Sequence, residues 1–132
     1  MKEVEWQKRI LEILAEVAVN TKYDDLPRET IDRVKRYVLD VIGCTIGSSR
    51  RPQIRILCEV LKEEGGNLYC SVFGQDFKTS PMNAALLNGT MGRALDFDDD
   101  HREGTMHSSV AVFPAAFAVG EKLRATGKEF LR

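Results

Sequence analysis

Residues 83–121 read NAALLNGTMGRALDFDDDHREGTMHSSVAVFPAAFAVGE. Just upstream, Ser80-Pro81 is a capping residue followed by a first-turn proline, which predicts a helix from 81 to about 95. That helix is rich in small residues: Ala84, Ala85, Asn88, Gly89, Gly92 and Ala94. A glycine inside a helix costs roughly 1 kcal/mol against alanine. Two of them point to close helix packing or close approach to a ligand. The acidic run Asp96 to Asp100 follows, then a loop to Met106. Residues 109–125 predict a second, strongly apolar helix, which Pro114 either kinks or delays.

Outward from this pair, the chain keeps a helical texture. Val4, Ile10, Leu11, Leu14, Val17 and Ala18 recur mostly three or four apart, an amphipathic helix over residues 4–20. Asp24, Asp25 and Pro27 suit the first turn of a helix carrying Ile31, Val34, Val38, Val41, Ile42 and Thr45 on one face. Its far end, VLDVIGCTIG, is apolar nearly all round and is expected to be deeply buried, with Cys44 as a small hydrophobe. Pro52 opens a third helix with Ile54, Leu57, Cys58 and Leu61 inward, and Gly65-Gly66 ends it. The period changes at LYCSVF, residues 68–73, so a small β-hairpin is expected over 68–79. Lys128 onward resembles the first turn of another helix. The fold class is all-α, bundle-like, with that one hairpin. An element that begins as the chain stops at Arg132 suggests truncation.

Composition excludes several function classes. The chain has 132 residues and a formal net charge of -1, so no basic field exists to draw nucleic acid or an acidic membrane. Its first helix is interrupted by Glu12 and Glu16 and is neither a signal peptide nor a membrane span. Three scattered cysteines, Cys44, Cys58 and Cys70, form no CxxC pair, which argues against a disulfide framework or zinc site and for the cytoplasm. No metal is expected at the Asp/His cluster either. Consecutive residues rarely converge on one ion, and the EF-hand spacing is absent. Taken alone, a DDD run is a solvated turn, and residues 110–119 are core or subunit interface.

In combination, LDFDD at 95–99 and His107-Ser108 ahead of an apolar Pro-Ala helix resemble the signature of the MmgE/PrpD family, the 2-methylcitrate dehydratases and cis-aconitate decarboxylases. LPRETIDRVKRYVLDVIGCTIGS and GGNLYCSVFGQDFKTSPMNAALLNGT resemble the same family upstream. The resemblance implies that residues 1–132 are an incomplete N-terminal helical domain, without the α/β lid domain. It implies a carbon–oxygen lyase acting on a small tricarboxylate in propionate metabolism, with no cofactor, and with lysines from outside this region. The alternatives are a cis-aconitate decarboxylase, or a non-catalytic helical module from a split or degenerate gene. The partner is a second copy or a complementary C-terminal chain. The catalytic positions carried over are Asp96, Asp100 and His107. Three departures stand out: Asp100 where the family often has Thr, Ser108 in place of the HPS proline, and Arg93 where a His is common. The extra carboxylate at Asp100 repels an anionic substrate.

Elimination from such a substrate needs a base, an acid for the leaving oxygen, and cations for the carboxylates. His107 precedes a helix N-terminus, where the dipole favours a neutral ring. Asp96, at the end of the preceding helix, is expected to orient His107 or act directly. N–H groups near Ser108 and Ser109 are expected to hold a carboxylate. Arg93 and Arg102 are the nearest cations, and Arg93, His101, Ser108 and Ser109 are the expected substrate contacts.

Overall fold

The computed structural model describes residues 2–132, with side chains from Arg9 onward. Val4, part of the predicted stripe, therefore lies outside the described side chains. The helices are α1 (Lys2–Asn20), α2 (Arg28–Ser48), α3 (Pro52–Glu64), α4 (Pro81–Arg93), α5 (Ser109–Leu123) and α6 (Gly127–Phe130). Two short strands, β1 (Cys70–Ser71) and β2 (Lys78–Thr79), pair antiparallel, Cys70 with Thr79 and Ser71 with Lys78. The all-α reading and the hairpin within 68–79 both hold.

Local chemistry sets the boundaries. Pro81 is the first residue of α4, and the Ser80 hydroxyl accepts from the Asn83 N–H. Pro52 opens α3, and Gly65, at φ 71, closes it. Pro27 differs from expectation. The Asp25 carboxylate accepts the Lys22 N–H at 2.9 Å and closes a separate 3-10 turn, Tyr23–Asp25. Leu26 and Pro27 are then extended, and α2 starts only at Arg28.

The central packing is α4 against α5 and α2. It depends on the two glycines. A Cβ on Gly92 would lie 3.0 Å from Val110 Cγ1 and 3.4 Å from Thr45 Oγ1. A Cβ on Gly89 would lie 3.2 Å from the Val110 carbonyl oxygen. That carbonyl is the one deprived of its helical donor by Pro114, four residues on. So Pro114 sits within α5 with Gly89 packed against the opened turn. The glycines serve helix packing, one of the two roles anticipated. Hydroxyls from α2 complete the joint: Ser48 donates to the Met91 carbonyl at 2.6 Å and Thr45 to that of Asn88 at 3.3 Å.

Ile54, Cys58 and Leu61 of α3 join Val72, Leu87 and Met91 in the main core cluster. Each fully buried side chain of this kind contributes about 1.5–3 kcal/mol. The end of α2 is buried on one side only. Val41, Cys44, Thr45 and Ser48 are inside, while Ile46 is 51% exposed. Apolar residues on every side are therefore not matched by neighbours on every side.

Glu121 fastens the hairpin to α5. It accepts the Ser71 N–H and hydroxyl, both at 2.7 Å, and pairs with Lys78 Nζ at 2.8 Å. Burial pushes its carboxyl up, but the Lys78 and Ser71 hydrogen bonds outweigh that and hold it below its ordinary 4.5. A depressed folded value stabilises above the unfolded value, and the contribution is lost as pH falls through the folded one. Glu121→Gln is expected to cost about 1–2 kcal/mol at neutral pH, since the pair is partly exposed. Urea melts should show that difference shrinking as pH falls below the ordinary carboxylate value.

Candidate active site

The end of α4 sets up the site. Arg51 Nη1 donates to the Ala94 carbonyl at 2.9 Å, a cation on the helix C-terminus. The helix stops at Arg93, two residues before the predicted end, because Asp96 adopts a left-handed φ of 53°. Its N–H bonds to the Arg93 carbonyl at 3.1 Å. The chain reverses there and sorts the acidic run by position. Asp96 is 81% exposed at its side chain, Phe97 is 80% exposed, and the Asp98 side chain is fully buried.

A tight turn then returns the chain. His101 and Met106 form an isolated antiparallel bridge, and Gly104 N–H donates to His101 Nδ1 at 2.9 Å. His107 follows, two residues before α5. Its Nδ1 lies 3.1 Å from Asp98 Oδ2 and 3.1 Å from the Asp99 carbonyl oxygen. Both neighbours are acceptors, so Nδ1 faces them as a donor. The contact to Asp98 has ion-pair distance without hydrogen-bond alignment, and Asp98 Oδ2 has no hydrogen-bond partner. Nε2 makes no hydrogen bond among the described residues, and the side chain is 33% exposed.

Arg93 binds the other face of this carboxylate. Its Nη1 contacts Asp98 Oδ1 at 3.0 Å and also Asp96 Oδ1. The Arg93 hydrogen bond and charge hold Asp96 below the ordinary carboxylate range. Arg93, nominated as a substrate contact, is thus engaged by the chain's own carboxylates. The exposed Arg102 is the other arginine of the segment 93–109.

Beside this triad lies a cleft of about 350 Å³, walled by Tyr37, Asp99, Asp100, His101, Ser108, Ser109, Val112 and Phe113. The nominated residues therefore fall into two groups. Asp100, His101, Ser108 and Ser109 line the cleft. Asp96, Arg93 and His107 lie outside its walls, around Asp98. No side chain caps α5 at Ser108, which leaves first-turn N–H groups at the cleft. Ser109 is buried, while Ser108 and Asp100 are exposed. Among the described residues, no group of three or more His, Cys, Asp or Glu side chains is placed to hold a metal ion.

Sequence reasoning missed Asp98 and Tyr37. The carboxylate facing His107 is Asp98, where Asp96 was expected. The cause is the left-handed Asp96, which turns its own side chain outward. Tyr37 reaches the cleft wall from α2, and no local sequence signal marked it. Burial first, then the charges of Asp40, Asp98 and Asp99, push the Cys44 thiol up.

The chain is similar to several known proteins. A cis-aconitate decarboxylase-like protein of Aspergillus oryzae is 33% identical over 100 residues, 76% of this chain and 21% of its own length. The cis-aconitate decarboxylase of Aspergillus terreus is 33% identical over 111 residues, 84% of this chain and 23% of its own. The human cis-aconitate decarboxylase is 32% identical over 117 residues, 88% of this chain and 24% of its own. The chain spans about a quarter of the length of these curated relatives. Residues 12–132 match the MmgE/PrpD N-terminal domain, and the chain belongs to the MmgE/PrpD family.

Proposed function

We propose that this chain supplies the proton-transfer part of a lyase active site for a small tricarboxylate, with His107 Nε2 as the group that moves the proton. The observation that carries the reading is the His107 ring, hydrogen-bonded at Nδ1 to the Asp99 carbonyl, within 3.1 Å of the Asp98 carboxylate and partly exposed, beside the cleft at the start of α5. In a dehydration, Nε2 takes the proton alpha to a carboxylate, the C–O bond breaks, and the imidazolium so formed gives that proton to the leaving hydroxide, which departs as water. In a decarboxylation, the C–C bond breaks, CO2 leaves, and the imidazolium, which has taken its proton from solvent, gives it to the carbanion left on the carbon skeleton. The uncapped N–H groups of α5 receive a substrate carboxylate. With Arg93 engaged, further cations come from outside this chain, as the acidic wall of Asp99 and Asp100 requires.

Dehydration of the 2-methylcitrate type, in propionate metabolism, is one form of this reading. Decarboxylation of cis-aconitate is the other, and the names of the relatives favour it. Three buried, unpaired cysteines fit a reducing cytoplasm. Among the described residues, no helix is long and apolar enough to cross a membrane. The apolar residues Ile10, Leu11, Ile13, Leu14, Val17 and Val19 of α1 are all exposed. That exposure favours association, as a homodimer or with a complementary chain, and supports a second reading as a helical assembly module.

The test is product analysis of the native protein, expressed from its own gene, with each substrate. Labelled CO2 released from cis-aconitate, or water lost from 2-methylcitrate, is expected. Turnover of neither, with a folded protein, favours the module.

A further inference from the structure

We infer that Asp98 is a positioning residue: clamped by Arg93, it fixes the tautomer and orientation of His107 so that Nε2 presents its lone pair. This rests on the proposed proton-transfer role of His107 and assigns a group to hold it there. The geometry is directional. Arg93 has donors only, so Asp98 Oδ1, at 3.0 Å from Nη1, must accept. That contact sets the rotation of the carboxylate and leaves Oδ2 turned to His107 Nδ1 at 3.1 Å. The Asp98 side chain is fully buried, and Oδ2 makes no hydrogen bond, so the His107 ring nitrogen is the polar group it faces at ion-pair distance. A buried carboxylate oxygen without a partner is costly, so it favours a proton on the nitrogen it faces. When Nε2 takes up a proton, the charge formed on the ring lies against this carboxylate.

His101 provides an internal contrast. Its Nδ1 accepts from the Gly104 N–H, so its neutral ring carries the proton on Nε2. The two histidines of this chain are therefore held in opposite tautomers.

The substitution that tests this is Asp98→Asn. The amide is nearly isosteric, but Arg93 requires the oxygen, which turns the NH2 toward His107 Nδ1. A donor facing Nδ1 drives the ring proton to Nε2. Ring 15N shifts, read in this chain at a pH where both rings are neutral, should show Nδ1–H at His107 and Nε2–H at His101. In Asp98→Asn the two His107 ring signals should exchange identity while those of His101 stay. In the native enzyme the same change should lower kcat by roughly 100-fold or more with KM little changed. A wild-type His107 protonated at Nε2 would overturn the inference without any variant. A His107 that stays Nδ1–H in Asp98→Asn would also overturn it, since the Asp99 carbonyl would then set the tautomer alone. The 15N readout does not depend on turnover. An inactive protein with the expected tautomers contradicts the lyase reading and leaves the positioning role standing.

Discussion

Asn88→Leu is expected to cost about 2–5 kcal/mol of stability, one of the largest effects of any single change in this chain. Asn88 lies in the middle of α4 and is 2% exposed. Its Oδ1 accepts the Phe73 N–H at 2.9 Å, and its Nδ2 donates to the Ser71 carbonyl at 3.0 Å. One amide thus holds two backbone groups of the hairpin segment. Leucine has a similar volume and no polar atom, so packing changes little while both groups lose their partner. Each buried unpaired group costs about 1–3 kcal/mol. Small domains have about 5–15 kcal/mol in total, so the loss is a large fraction. In urea, with a slope of about 1–3 kcal/mol/M, the midpoint should fall by roughly 1–2 M at unchanged slope. A change under about 1 kcal/mol would mean that water replaces the amide and that Asn88 does not staple the hairpin.

Much of this fold was legible because its signals are local. Ser80-Pro81, Pro52 and Gly65 mark helix ends by their own backbone requirements. The hairpin announced itself through a change of period at residues 68–73. The glycines of α4 forecast a close approach, though only the structure shows that Gly89 meets the turn opened by Pro114. Pro27 was misplaced because the Asp25–Lys22 turn competes with helix initiation. The site was legible as a neighbourhood and not as a set of roles. Asp96, Asp98, Asp99 and Asp100 are the same residue type within five positions. A single left-handed residue decides which one faces inward, and Asp carries no periodic pattern that foretells it. Arg93 was legible as a cation, but its two carboxylate partners appear only once the chain reverses.

His107→Gln bears on the central reading. Glutamine retains a planar amide of similar reach, so it can make hydrogen bonds to Asp98 and to a substrate. It cannot take up and return a proton. The loss should therefore fall on the chemical step and leave binding nearly intact. General acid–base catalysis contributes about 10²–10⁴-fold, or roughly 3–5 kcal/mol of barrier. His107 lies at the surface of the Asp98 pocket, 33% exposed, so the fold should survive the change. The most direct measurement is steady-state turnover of the native protein and its His107→Gln form on cis-aconitate, followed by labelled CO2. In the variant, kcat should fall by about 10²–10⁴-fold while KM stays within about threefold. A variant that turns over within about threefold of the wild type would contradict the central reading, and the proton-transfer group would then be a residue other than His107.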